Sequence, residues 1–202
     1  KGLAFVRDPD GYSIEILASS PGGGKGQGSG LDESLYVSRE GYAMTQTMLR
    51  VKDPRASLKF YTETLGMRLL WDGHFPEWKF SLYFVGYCDA VPEFATDLER
   101  RAWAFEQKAA VELTHNWGTE ADPDFRHANG NDEEGHRGFG HIGLLVPDVY
   151  AACRRFEELG VDFRKKPDDG GIKGLAFVRD PDGYSIEILN ENSLAPLEKY
   201  GD

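Results

Sequence analysis

Apolar positions along this chain recur in two rhythms, every second residue in short runs and every third or fourth in longer ones, and the rhythms alternate twice in the same order. Ala43 to Val51 reads as a strand that halts at Asp53-Pro54. Arg55 to Leu65 then sets Ala56, Phe60 with Tyr61, and Leu65 at helical spacing and stops at Gly66. Strands at about 67–72, 79–87 and 109–116 complete a βαβββ series. The second half repeats it: His141 to Val146 as strand, Val149 to Leu159 as helix with Gly160 as its stop, then strands near 161–165, 173–179 and 184–189. Residues 49–54 match residues 144–149 at an offset of 95, which lays Gln46 over His141. A helical run from Leu98 to Lys108 and a polar loop at 118–137 are insertions that the second half lacks. The pattern predicts an α+β fold of paired βαβββ modules around a shared site, because one open sheet cannot bury both of its faces.

One segment lies outside this scheme. Residues 1–17, KGLAFVRDPDGYSIEIL, recur letter for letter as residues 173–189. The sequence therefore divides into the duplicate at 1–17, a linker at 18–41 that is rich in Gly and Ser over 18–30, a main domain at 42–190 and a tail at 191–202. Within the main domain, module one covers 42–117, the insertion loop 118–137 and module two 138–190. The duplicate reads either as the tail of a preceding unit in a tandem array or as an engineered addition. Each copy ends in an alternating run with a lone carboxylate, Glu15 or Glu187, between apolar neighbours. A buried carboxylate needs a partner, and a metal ion is the best candidate.

Composition narrows the function classes. With 40% hydrophobic, 12% aromatic and 28% charged residues, the chain has the make-up of a globular protein with one sizeable core. A net charge of −11 argues against a nucleic-acid partner, which would want clustered Lys and Arg. No run approaches the roughly 20 apolar residues of a membrane span, and no signal-peptide pattern is present, so a cytoplasmic protein is expected. Two cysteines, Cys88 and Cys153, are too few for a disulfide framework and suit a reduced compartment.

Strand alternation then groups the residues that carry chemistry. Gln46, Met48 and Arg50 share one face of the first strand, and Glu112, Thr114 and Asn116 share one face of the fourth. Four residues along a strand span about 13 Å, roughly one extended tripeptide, so a metal ligand at one end stands that far from an anion anchor at Arg50 or Asn116. His141 and Glu187 occupy corresponding places in module two. Together Gln46, Glu112, His141 and Glu187 make four O or N donors for one divalent ion, with two further positions for waters or substrate oxygens. Each alone is weak, since a strand His, Gln or Glu is more often an ordinary solvated or satisfied residue.

Longer blocks carry a family resemblance. Gln46-Thr-Met-Leu-Arg-Val-Lys-Asp-Pro, Phe60-Tyr61 with Leu65-Gly66-Met67, Val111-Glu-Leu-Thr-His-Asn-Trp-Gly-Thr, Arg137-Gly-Phe-Gly-His-Ile-Gly and Asp180-Pro-Asp-Gly-Tyr closely resemble the glyoxalase I family, lactoylglutathione lyases of the eukaryotic zinc type, over about 42–190. The resemblance implies the vicinal oxygen chelate fold and a metal set of Gln46, Glu112, His141 and Glu187. It implies zinc, with nickel or another divalent ion as the alternative. The implied substrate is the hemithioacetal of glutathione and methylglyoxal, isomerised through an enediolate to S-D-lactoylglutathione, a step of methylglyoxal detoxification by a carbon–sulfur lyase. Glu187 is the implied base, with Glu112 serving the other hemithioacetal enantiomer. Arg50, Arg137 and Lys165 match the family's anion anchors, Asn116 its hydrogen-bond donor, and Phe75, Trp78, Phe80, Leu82 and Phe84 its apolar pocket. Ile172 stands where the family often has Met, and Ser185 where it often has Trp.

In dimeric members each site draws two ligands from each subunit, so a homodimer or a tandem-repeat assembly is expected. The 24-residue linker could stretch about 80 Å, enough for the duplicate to reach a site. Glu187 is nonetheless expected to bind the metal, because its strand follows directly from 173–179, with Glu15 left as a spare. Two rivals share the fold: an iron-dependent dioxygenase, which wants two His where only His141 is placed for it, and a non-enzymatic small-molecule binding module without a metal set.

Overall fold

A computed structural model describes residues 3–17, 44–131 and 138–193; the linker, Arg137 and the tail beyond 193 lie outside the described residues. The duplicate forms an antiparallel hairpin of β1 (Leu3–Arg7) and β2 (Ser13–Leu17), with Phe5 opposite Glu15. Module one runs β3 (Gln46–Val51), α1 (Pro54–Lys59), β4 (Arg68–Phe75), β5 (Phe80–Gly86), α2 (Asp97–Glu106) and β6 (Ala110–Asn116). Module two runs β7 (Ile142–Leu145), α3 (Val149–Glu158), β8 (Phe163–Lys165), β9 (Ala176–Arg179) and β10 (Ser185–Leu189). Each module forms a four-stranded sheet, ordered β3-β6-β5-β4 and β7-β10-β9-β8, and in each the first and last strands pair in parallel. The paired βαβββ architecture is therefore present. Among the described residues no helix is long and apolar enough to cross a membrane.

Local chemistry sets the helix ends. The Asp53 carboxylate accepts from the Arg55 backbone N–H at 3.0 Å, and Pro54 supplies the first helical φ. Beyond Lys59 the helix widens into a π-turn over Phe60–Thr64 instead of continuing regularly to Leu65, and the chain leaves it at Gly66, whose φ of +79° a side chain would resist. Asp148 caps α3 by accepting from Ala151 N–H at 3.0 Å. In the insertion, Thr96 and Glu99 form a reciprocal capping box on α2.

Both sheets feed one core. Leu49, Val51, Val111 and Leu113 from the first sheet join Ala176, Val178, Ile186 and Ile188 from the second in a single buried cluster with Phe60, Tyr61, Cys153 and Phe156. Polar bonds pin the modules together beside it. The Tyr61 hydroxyl donates to Asp180 Oδ2 at 2.9 Å, and Lys52 N–H donates to Asp182 Oδ1 at 2.9 Å. Because alternate residues of a strand face opposite sides, Gln46, Glu112 and Glu187 stand on the faces turned away from this shared core.

Burial lifts the Asp180 carboxyl to about 7 from its ordinary 3.8, outweighing the bonds from Tyr61 and from backbone N–H groups that favour its charge. The folded state thus holds this proton more tightly than the unfolded chain does. The group favours the fold fully below about pH 4, and that contribution is withdrawn as pH rises toward 7. The rise corresponds to roughly 4 kcal/mol at most. Asp180→Asn keeps acceptors for the N–H groups of Asp182 and Tyr184 and can donate to Tyr61. Its urea-unfolding stability is expected to decline less steeply between pH 4 and 7 than the parent's, since the raised Glu112 carboxyl still titrates there; an equally steep decline in both would refute the assignment.

The hairpin and β9–β10 carry one sequence in two environments. Ile186 and Ile188 are 1% and 0% exposed, whereas their counterparts Ile14 and Ile16 are 48% and 45% exposed. In module two these side chains lie in the shared core with residues of α3 and β7, such as Val149, Phe156 and Leu144.

Candidate functional site

The first donor group is built by parallel pairing. In the register of β3 with β6, Met48 stands opposite Glu112 and Arg50 opposite Thr114, so Gln46 and Glu112 share a face. Gln46 Nε2 donates to Glu112 Oε2 at 2.5 Å, and the Thr114 hydroxyl donates to Glu112 Oε1 at 3.1 Å. Gln46 Nε2 also donates to Glu15 Oε2 at 3.1 Å, which brings the duplicated hairpin to this group. Glu112 is 7% exposed, and burial pushes its carboxyl up to about 7, with the facing Glu15 adding to the rise and the bonds from Thr114 and Gln46 opposing it. Burial likewise raises the Glu15 carboxyl.

The second group belongs to module two. His141 Nε2 lies 3.2 Å from Glu187 Oε2, with the Glu187 side chain 15% exposed and that of His141 45% exposed. The His141 ring meets Phe177 edge-on at 5.3 Å.

Within this chain the four expected donors stand as two separate pairs. Gln46 and Glu112 come together, His141 and Glu187 come together, and among the described residues no three His, Cys, Asp or Glu side chains gather at one point. The reason is the shared core: each sheet turns its apolar face inward, so the two donor faces point away from each other. A complete set needs a second donor face from another module or another copy. Glu15, expected as a spare, instead lies against Gln46, and only tertiary packing reveals that.

The donor chemistry fits a divalent cation. Gln46 Oε1 is buried without a hydrogen-bond partner, an arrangement that costs free energy unless something electropositive meets it. It sits beside two desolvated carboxylates that repel each other, and a cation would relieve both penalties.

The remaining residues divide. Arg50 and Asn116 are exposed at the far ends of their strands, one tripeptide from the donors, as the alternation requires. Lys165 is half-buried, its ammonium donating to the Leu175 carbonyl at 2.8 Å, and Ile172 is 38% exposed. Phe75, Trp78 and Phe80 stack at the β4–β5 turn, with centroids 4.7 to 6.2 Å apart, and Trp78 is 68% exposed. Opposite-strand pairing puts Phe80 beside Asn116 and Leu82 beside Thr114, on the donor face. Phe84 departs from the expected pocket. It is 1% exposed beneath α2, between Trp71 and Phe105, and so offers no surface to a ligand. Thr114, which holds the Glu112 carboxylate, was recognisable only as a residue sharing its face.

Comparison with known proteins is consistent with this layout. Residues 43–188 match the model of the Glyoxalase/Bleomycin resistance protein/Dioxygenase superfamily. The lactoylglutathione lyase of Pseudomonas aeruginosa is 53% identical over 150 residues, which cover 73% of this chain and 82% of that protein. The glyoxalase I of Saccharomyces cerevisiae is 39% identical over 198 residues, 96% of this chain but 55% of that longer protein. Among solved structures, the trypanothione-dependent glyoxalase I of Leishmania major superposes with a TM-score of 0.55 at 33% identity, covering 79% of this chain and 94% of that one.

Proposed function

Since this chain belongs to the Glyoxalase/Bleomycin resistance protein/Dioxygenase superfamily, we infer from its donor faces and its relatives that it is a lactoylglutathione lyase: it isomerises the hemithioacetal of methylglyoxal and glutathione to S-D-lactoylglutathione. The observation that carries the reading is the Gln46–Glu112 pair, its carboxylate and its unpartnered amide oxygen buried, placed on a sheet face whose rim bears Arg50 and Asn116.

The difficulty of the reaction is a weakly acidic C–H whose proton must leave one carbon and return to its neighbour. A divalent metal held by Gln46 and Glu112 together with a His and a Glu of the Glu187 kind would supply charge for the anion formed when that proton leaves. A carboxylate that takes the proton and keeps it from water can also return it, so no separate acid is needed. Glu187 and Glu112 are the proposed carriers, one for each hemithioacetal hand. Thr114 holds Glu112 in one orientation, which favours repeated transfer at the same point.

Glutathione brings two carboxylates to a chain of net charge −11, so local cations must receive it. Arg50, with Asn116 as donor, fits that role, and Arg137 and Lys165 are assigned to it by resemblance. The stacked Phe75, Trp78 and Phe80 form an apolar wall for the thioester end. An imidazole with carboxylates and an amide suits zinc, with nickel the nearest competitor. Because the two donor faces point apart, full sites form between copies in a homodimer or between modules of a tandem protein, and a cytoplasmic location fits the substrate. Dialysis against a strong chelator is expected to abolish the rise in thioester absorbance with hemithioacetal, and zinc is expected to restore it. Undiminished activity in metal-free protein would overturn the reading.

A further inference from the structure

We propose that Thr119 and Glu120 are positioning residues for the anionic arm of the substrate: the turn they build holds Asn116 of β6 in a fixed place relative to Arg50 of β3, and through those two side chains sets affinity for a thiol carrier with two carboxylates. The inference rests on the lyase reading above and deepens it. Three observations carry it. The Thr119 hydroxyl sits between two carbonyls, donating to Lys52 O at 2.8 Å and reaching Asn116 O at 3.0 Å, so it joins the chain at the ends of β3 and β6. Glu120 Oε2 accepts from Gly118 N–H at 2.8 Å and lies 2.8 Å from Nε2 of the buried His115, which folds the turn back on β6. Trp117 N–H donates to the Lys79 carbonyl at 2.9 Å, and its indole N–H donates to Ser81 Oγ at 2.8 Å.

These ties fall where the sheet leaves Asn116 half-held. Toward β5, Asn116 is paired with Phe80; toward β3, the ladder stops one residue earlier, where Val51 stands opposite His115. A strand end paired on one side only opens easily. Thr119 supplies the tie on the open side. The backbone it grips is itself fixed, because Lys52 N–H donates to Asp182 Oδ1 at 2.9 Å. Gly118 makes the reversal possible with a φ of +102°, which a side chain would resist. Bonds from its own backbone N–H, from His115 and from Gly118 hold the Glu120 carboxyl below its ordinary value, so it remains a charged acceptor at neutral pH. Strand alternation sets His115 on the sheet face opposite Asn116, so the Glu120 bond acts from behind the anchor. An anchor ordered before binding spares the complex the cost of ordering it afterwards.

The test is calorimetric binding of S-methylglutathione to the full chain, paired with hemithioacetal turnover at saturating zinc. Thr119→Val, which keeps the shape and removes the hydroxyl, is expected to weaken S-methylglutathione binding and to raise KM by about tenfold, the worth of one charge-assisted bond. The value of kcat should hold within about twofold, since binding shared by ground and transition states is what is lost. Glu120→Ala should act in the same direction, and Thr119→Ser should restore the parent values. The weaker binding of S-methylglutathione dimethyl ester should not change in Thr119→Val, and in an Asn116→Ala background Thr119→Val should add nothing, because the two act as one unit. Losses that add in that background, that fall equally on the ester, or that appear in kcat with KM unchanged would overturn the positioning role while leaving the lyase reading standing. Absence of turnover in the parent, with the Thr119→Val effect on binding intact, would overturn the lyase reading and uphold the positioning role. A parent that binds no S-methylglutathione would overturn both.

Discussion

Glu112→Gln lowers kcat/KM for the hemithioacetal by about 10²- to 10⁴-fold, the range expected when a positioned proton carrier is lost, and leaves the melting temperature of the metal-free protein unchanged or slightly raised. The two halves of that expectation come from the same environment. Glu112 is buried, faces Glu15 and has its carboxyl pushed up to about 7, so its charge is a burden on the empty fold and an asset to a cation or a departing proton. An amide of the same shape removes the burden and the asset together. It can still accept the Thr114 hydroxyl, and its packing beside Phe84 is unchanged. Steady-state kinetics at saturating zinc, paired with thermal denaturation in chelator, reads both. A loss under tenfold would remove Glu112 from the chemistry, and a large drop in melting temperature would recast it as a structural residue.

How far the sequence reaches can be judged from single residues. Gly66 and Gly160 mark helix ends because their positive φ values, +79° and +71°, favour glycine, and Asp53-Pro54 marks a start because both residues act within one turn. Such signals are local and so survive in the sequence. The π-turn at Phe60–Thr64 does not announce itself, because the buried Tyr61 reaches its partner Asp180 only across the module boundary. Alternation told which face Gln46 and Glu112 occupy, but the register that sets Met48 opposite Glu112 is a property of the sheet. The division of the four donors into two pairs was reached only through the family resemblance and not from the residues themselves, because it depends on which faces the two sheets share. Phe84 reads equally as pocket or core until α2, an insertion, covers it. Glu15 is the sharpest case, since residues 1–17 and 173–189 are one string and no local rule can assign them different roles.

That identity of sequence permits a controlled comparison with a large expected difference. Ile188→Ala costs about 2–5 kcal/mol of unfolding free energy, the range for an isoleucine deleted from a packed core, whereas Ile16→Ala costs well under half as much. Propensity, neighbours in sequence and hairpin register are the same for both, since Ala4–Arg7 pairs with Ser13–Ile16 as Ala176–Arg179 pairs with Ser185–Ile188. Only the surroundings differ. Ile188 is fully enclosed in the core that holds residues of both sheets and α3, and Ile16 is 45% exposed. Deleting three carbons at Ile188 therefore removes transferred surface and leaves a cavity, while at Ile16 water fills much of the gap. Urea unfolding followed by tryptophan fluorescence gives both values on one chain. Equal losses at the two positions would mean that the hairpin's apolar side is covered as completely as its counterpart, and the contrast between the two copies would fail.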